Sequence, residues 1–123
     1  MSKNSKITWL NKPKDLNYQA SLSYLGLIFD NKIAKKLVKS LRKASMTSFH
    51  AKDIFRSSGL SLLGISNIHV KRNTEKLKSG IRLSPLLLVR DDSERRLIIA
   101  DGYHRLCSVY LFDEDADIPC KIV

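Results

Sequence analysis

Cysteine occurs only twice in 123 residues, proline three times, glycine five times and tryptophan once. Cys107 and Cys120 form no CxxC or zinc-ligand pattern, so neither a disulfide framework nor a structural metal is needed, and reduced thiols in a reducing compartment are expected. Apolar runs are short as well. Nothing approaches the ~20 residues of a membrane-spanning helix. The polar start Met1-Ser-Lys-Asn-Ser-Lys6 has no secretory core behind it, because Trp9 and Leu10 are followed at once by Asn11, Lys12 and Pro13. A cytoplasmic protein with no membrane partner is the expectation. Acidic residues are the remaining scarcity: 12 Asp and Glu stand against 22 Lys and Arg, a net charge of +10. Such a balance favours a polyanionic partner, whether nucleic acid, a nucleotide's phosphates or an acidic protein surface.

What is present fits one α/β (α+β) domain over residues 1–123, since this length supports one modest core and no second. The charge divides the chain. Residues 1–82 carry 17 Lys and Arg against 4 Asp and Glu, and residues 83–123 carry 5 against 8. The basic character therefore belongs to the first two thirds, where residues 15–66 read as a helical subdomain, and 67–123 form a second unit.

Behind a basic lead-in over residues 1–14, the spacing of Leu16, Ala20, Tyr24, Leu27 and Ile28 predicts a helix from Asp15, which can cap it, to about Phe29. Tyr18, Tyr24 and Phe29 read as core aromatics. Asp30 or Asn31 can cap a second helix with Ile33, Leu37, Leu41 and Ala44 inward and Lys32, Lys35, Lys36, Lys39, Arg42 and Lys43 outward. Ser45 to Ser48 break the pattern. Ala51, Ile54 and Phe55 suggest a short third helix stopped by Gly59, and Leu60 to Ile65 read as a packed connection. Asn67 can cap a fourth helix that turns Val70 and Leu77 inward and Lys71, Arg72, Lys76 and Lys78 outward. The two cationic helices form a candidate nucleic-acid surface, and contacts to six phosphates would give a salt slope of about −5 on duplex DNA.

After Pro85 the period shortens. Residues 86–90 and 96–100 read as strands joined by the polar loop 91–95, residues 103–112 as a helix and 118–123 as a last strand, a β-β-α-β unit with a small mixed sheet. Between the second strand and the helix lies Asp101-Gly-Tyr-His-Arg105. Backbone N–H groups of a first helical turn lack intrahelical partners and can receive a phosphate. Gly102 lets the chain pass close to a ligand, Arg105 offers a forked donor, and His104 can move a proton near neutral pH, which makes it the candidate catalytic residue. The competing reading is a tight structural turn with Arg105 paired to Asp101. Cys107 or Cys120 with His104 has no specific metal spacing, and no metal site is expected. His50 and His69 read as surface or capping residues, and Asp113 to Asp117 as a solvated loop.

The order and spacing of Leu83-Ser-Pro-Leu-Leu-Leu-Val-Arg90, Leu97-Ile-Ile-Ala-Asp-Gly-Tyr-His-Arg-Leu-Cys-Ser-Val-Tyr110 and Ile118-Pro-Cys-Lys-Ile-Val123 resemble the ParB/sulfiredoxin superfamily over about residues 67–123. In sulfiredoxins the resemblance implies a Gly-Cys-His-Arg turn with a nucleophilic cysteine. Gly102, His104 and Arg105 match it, but Tyr103 stands where the cysteine would be, and sulfiredoxin activity is not expected. In the ParB branch it implies a Gly-Glu-Arg-Arg turn that holds CTP phosphates. Gly102 and Arg105 match, while Tyr103 and His104 replace Glu and Arg. The implied function is that of a stand-alone ParB-like domain holding a nucleotide (CTP or ATP with Mg²⁺) or a nucleic-acid backbone at Asp101, Gly102, Tyr103, His104 and Arg105. One alternative is a nucleotide-dependent phosphotransferase or phosphohydrolase in which Asp101 with Asp113 or Asp115 holds Mg²⁺. The other is a protein-interaction module whose turn is purely structural.

Overall fold

The computed structural model describes residues 6–123, so Met1 to Ser5 of the basic lead-in lie outside the described residues. Nine elements follow one another: α1 (Asp15–Ile28), α2 (Asn31–Lys43), β1 (Thr47–His50), α3 (Ala51–Ser58), α4 (Ile68–Lys78), β2 (Leu86–Asp91), β3 (Arg96–Asp101), α5 (Tyr103–Phe112) and β4 (Asp117–Ile122). The strands form one mixed sheet in the order β1-β4-β2-β3, with β4 parallel to β2 and the outer pairs antiparallel. The α+β class with N-terminal helices and a small mixed sheet is what the sequence implies.

Helices cover both faces of this sheet. Leu87, Val89, Ile98 and Ala100 on one face form a core with Tyr18 and Leu25 of α1 and Ala34, Val38 and Leu41 of α2. On the other face Leu86, Leu88, Ile99, Ile118 and Cys120 pack against Ala51 and Ile54 of α3, Leu77 of α4 and Leu106 and Val109 of α5. Consecutive strand residues point to opposite faces, so β2 and β3, apolar on both sides, hold the three layers together. Residues 15–66 accordingly divide among all three layers.

Three local expectations are corrected. The first concerns rotation. In α1 the expected inward stripe is exposed, with Leu16 at 69% and Leu27 at 87%, and Tyr18, Ser21 and Leu25 are buried instead. Apolar residues occupy both sides of this helix, and the tertiary partners decide between them: Arg42 lies 4.4 Å over the Tyr18 ring, and the Ser21 hydroxyl is satisfied by the Asn17 carbonyl at 3.0 Å. In α2 the buried residues are Ala34, Val38 and Leu41, so Leu41 of the expected stripe does face inward, while Ile33 is exposed and Leu37 and Ala44 are half-buried. The helix start also differs. Lys14 is the N-cap, and its N–H donates to Asn17 Oδ1 at 2.7 Å, while Asp15 pairs with Arg42 at 3.1 Å.

The second correction is β1, placed where the sequence reads as a break. Thr47 to His50 pair with Cys120 to Asp117 at the sheet's edge. All four residues are exposed, so no alternation marks them, and their partner lies some seventy residues away. The third is the connection after α3. Leu60, Leu62 and Ile65 are exposed rather than packed. Gly59 ends α3 in the left-handed region as expected, at φ 67°. Asn67 caps α4 through bonds from the His69 and Val70 amides, at 2.9 and 3.2 Å. Among the described residues no helix is long and apolar enough to cross a membrane.

Candidate functional site

The turn from β3 into α5 is built around Gly102, which has φ 112° and ψ 16° and whose carbonyl accepts the first helical bond, from Leu106 N–H at 2.9 Å. Its missing side chain makes room for its neighbours. A Cβ there would lie 2.7 Å from Leu86 Cγ and 2.9 Å from an Arg105 Nη. Arg105 folds back across the glycine, donating to Asp101 Oδ2 at 2.8 Å and to the Pro85 carbonyl at 3.3 Å. Asp101 and Arg105 side chains retain only 16% and 15% of their accessible area. The guanidinium thus ties the end of β3 to the start of β2, and its Nε is buried with no partner among the described residues.

The rest of the motif is occupied too. The Tyr103 hydroxyl donates to the Ser61 carbonyl in the exposed connection, and burial pushes its phenol above the ordinary range. His104 packs against His69 of α4 with ring centroids 4.8 Å apart. Ser108 of α5 donates to the Val70 carbonyl of α4 at 2.9 Å, fixing the same helix pair. Burial, and then the neighbouring His69 and Arg105, hold the His104 imidazole below its usual value. Burial raises the thiols of Cys107 and Cys120, the latter to about 11. Both cysteines are core thiols, protonated near neutrality.

The His104 shift has a sign in pH. Its native pKa is depressed, so between that value and the unfolded ~6.5 the unfolded chain binds more protons, and stability rises with pH. Urea midpoints should therefore be higher at about pH 7.5 than at about pH 5, and His104→Gln should shrink that difference. An unchanged difference in the variant would assign it to other groups.

The other candidate residues are dispersed. Asp101 precedes α5 and Asp113 caps its far end, a separation of ~15 Å along a ten-residue helix. The pair expected to hold Mg²⁺, Asp101 with Asp113 or Asp115, is therefore split between the two ends of α5. Among the described residues no group of three His, Cys, Asp or Glu is placed to hold a metal. Asp113 Oδ1 accepts the Asp115 amide at 3.0 Å, and Asp115 pairs with Lys52. His50 Nδ1 lies 3.0 Å from Asp117 Oδ1.

The cationic helices lie on opposite layers, α2 over one face of the sheet and α4 over the other. Lys71, Arg72, Lys76 and Lys78 are exposed on α4 but do not extend the α2 surface. On α2, Lys32, Lys36, Lys39 and Lys43 form one exposed ridge opposite the buried Ala34, Val38 and Leu41, with Lys35 at its side. Arg42 leaves the ridge to pair with Asp15 and to cover Tyr18.

The structure also holds a feature not expected from sequence, a hollow of about 370 Å³ beside α3, at the hairpin end of β2 and β3 and lined by Arg90, Arg95 and Arg96 among others. A signal for it existed. Arg90 continues the series Leu86, Leu88 on the α3 side of β2, where a core residue would be expected.

The chain matches no family model, no curated protein and no solved structure.

Proposed function

We propose that this protein is a nucleic-acid-binding module that contacts the phosphate backbone through the lysine ridge of α2. The observation that carries this reading is the alignment of Lys32, Lys36, Lys39 and Lys43 on one exposed stripe of a helix that contains no acidic residue. At 1.5 Å per residue the ridge runs ~16 Å, and one strand of duplex DNA presents a phosphate every ~3.4 Å of axis, so about five phosphates lie within its length. The ridge is also well anchored. Asp30 Oδ1 accepts the Ile33 amide at 2.9 Å at one end, and Lys121 Nζ donates to the Arg42 carbonyl at 2.9 Å at the other.

Four neutralised phosphates imply a slope of log affinity on log salt of about −3.6, or ~150-fold weaker binding between about 50 and 200 mM salt. Anisotropy titration of a labelled duplex measures this directly. Replacing Lys32, Lys36, Lys39 and Lys43 together by Gln should flatten the slope nearly to zero, and replacing Lys71 and Lys76 should leave it unchanged. Equal slopes for the wild type and the α2 variant would refute the ridge.

A second reading keeps the turn as an oxyanion site for CTP or ATP. It is favoured by one observation, the buried Arg105 Nε that lacks an acceptor. Against it stands the Asp101 carboxylate, which already holds the guanidinium and repels a phosphate at the same place.

A further inference from the structure

A helix that is apolar on every side is ordinarily covered on every side, and α1 buries only one of its sides, through Tyr18, Ser21 and Leu25. Leu16, Ala20, Tyr24 and Ile28 follow at steps of four, so they form one continuous ridge along the helix, and Leu27 stands beside it. All five are exposed, with Leu16 at 69%, Tyr24 at 44%, Leu27 at 87% and Ile28 at 41%. Charge is missing as well. The fourteen residues from Leu16 to Phe29 carry none, in a chain that is 28% charged.

The ridge lies at the open edge of the sheet. α1 packs on β3 and β2, whereas α2 reaches β4, where Lys121 Nζ donates to the Arg42 carbonyl at 2.9 Å. α1 therefore sits over β3, the last strand in the order β1-β4-β2-β3, whose outer backbone edge has no strand beside it among the described residues. The ion pair of Asp15 with Arg42 marks the side of α1 that faces α2, and Tyr24, ~2.5 turns further on, points the opposite way. The apolar ridge and the unpaired edge thus open in one direction, away from α2 and its lysines. Unpaired strand edges and contiguous apolar faces are both surfaces that join to another chain.

The partner that fits is a second copy. An uncharged face offers nothing to a partner of either sign, and in a chain of net charge +10 it lets two copies meet without opposing like charges. The ridge is also complementary to itself. Laid antiparallel about a twofold axis, it sets Ala20 against Tyr24 of the second copy and Leu16 against Ile28, so small meets large at the centre and apolar meets apolar at the ends, each contact occurring twice. Leu16, Tyr24, Leu27 and Ile28 leave roughly 400 Å² open on each copy, about half of the ~800 Å² per partner in a standard stable interface. Such an area suits a reversible dimer with a dissociation constant on the order of 10–100 µM.

We infer that the protein forms a twofold homodimer through α1, with the ridge of one copy packed antiparallel on that of the other and the β3 edges turned toward the shared axis. The contact stands independently of the nucleic-acid reading and leaves both α2 lysine ridges free.

Sedimentation equilibrium of the full chain between about 5 and 500 µM tests this, and the mass should rise from one chain to two across that range. Ala20→Arg, which puts a charge at the centre of the ridge, should raise the dissociation constant at least about tenfold. Leu62→Arg adds the same charge at an apolar residue of equal exposure to Tyr24, in the connection after α3, and should leave the dissociation constant unchanged. Both positions are exposed, and thermal unfolding checks that the variants fold. Orientation is read by NMR: a nitroxide on Leu16→Cys, mixed with isotope-labelled wild type, should broaden the amides of Leu27 and Ile28 rather than those around Leu16. Cys107 and Cys120 are buried, so the label goes to the new thiol. A mass of one chain at every concentration would overturn the inference, as would equal association of the wild type and Ala20→Arg or broadening that misses α1.

Discussion

Replacing Gly102 by alanine should destabilise the protein by about 4 kcal/mol. A side chain at φ 112° is strained whatever surrounds it, and a residue forced into such a region costs ~1–3 kcal/mol. The new Cβ would also meet Leu86 Cγ at 2.7 Å and Cδ1 at 3.0 Å. Leu86 cannot yield. It is fully buried among Leu88, Ile99 and Leu106, where overpacking by one methyl costs ~1–3 kcal/mol. The second obstruction, Arg105 Nη at 2.9 Å, could move only by loosening its bond to Asp101.

Two other glycines separate these effects. Gly59→Ala shares the positive φ, at 67°, but has nothing within 4 Å, so it should cost only the backbone part, ~1–2 kcal/mol. Gly26→Ala has open space inside α1 and an ordinary φ, and should stabilise by up to ~1 kcal/mol. Urea denaturation of the three variants would rank them, and a Gly102→Ala midpoint no lower than that of Gly59→Ala would contradict the close approach to Leu86.

The turn's dependence on glycine was legible from sequence, and so was most of the unit that contains it. Leu86 to Arg90, Arg96 to Ala100 and Ile118 to Val123 are short apolar runs bounded by charged or turn residues, and each holds a strand, the last of them ending at Ile122. In the N-terminal half the helices are legible and their rotation is not. Leu16, Leu27 and Tyr24 compete with Tyr18, Leu22 and Leu25 for the core, and periodicity alone cannot choose between two apolar faces of one helix. The choice depends on Arg42 and Lys121, which lie over the Tyr18 ring from α2 and β4. A strand such as β1 draws its stability from the β4 backbone, so its own four residues show little of it. The pairing of Arg105 with Asp101 was readable from their i, i+4 spacing, whereas the one signal for the hollow, Arg90 continuing the Leu86, Leu88 series, is masked because an arginine at the end of an apolar run looks like a terminator.

Arg105→Ala should be nearly as damaging as the glycine change, and by a different mechanism. Removing the guanidinium leaves the Asp101 carboxylate largely buried and unpaired, a change that typically costs ~3–5 kcal/mol. The bond to the Pro85 carbonyl goes with it, which unfastens the start of β2. For a domain of this size the melting temperature should fall by about 15 °C. Replacing both partners by apolar residues, Asp101→Leu with Arg105→Met, should recover much of the loss, because no charge remains to be desolvated. The same series discriminates between a structural and a ligand-binding arginine. If the turn is structural, ATP or CTP with Mg²⁺ leaves the wild-type melting temperature unchanged, and the double variant approaches wild-type stability. If the turn receives a nucleotide phosphate, saturating nucleotide at a hundredfold excess over Kd stabilises the wild type by ~2.7 kcal/mol, and the double variant, however stable, loses that response. The Arg105–Asp101 contact favours the first outcome: a guanidinium held by a carboxylate at 2.8 Å must exchange one anion for another before it can serve a ligand.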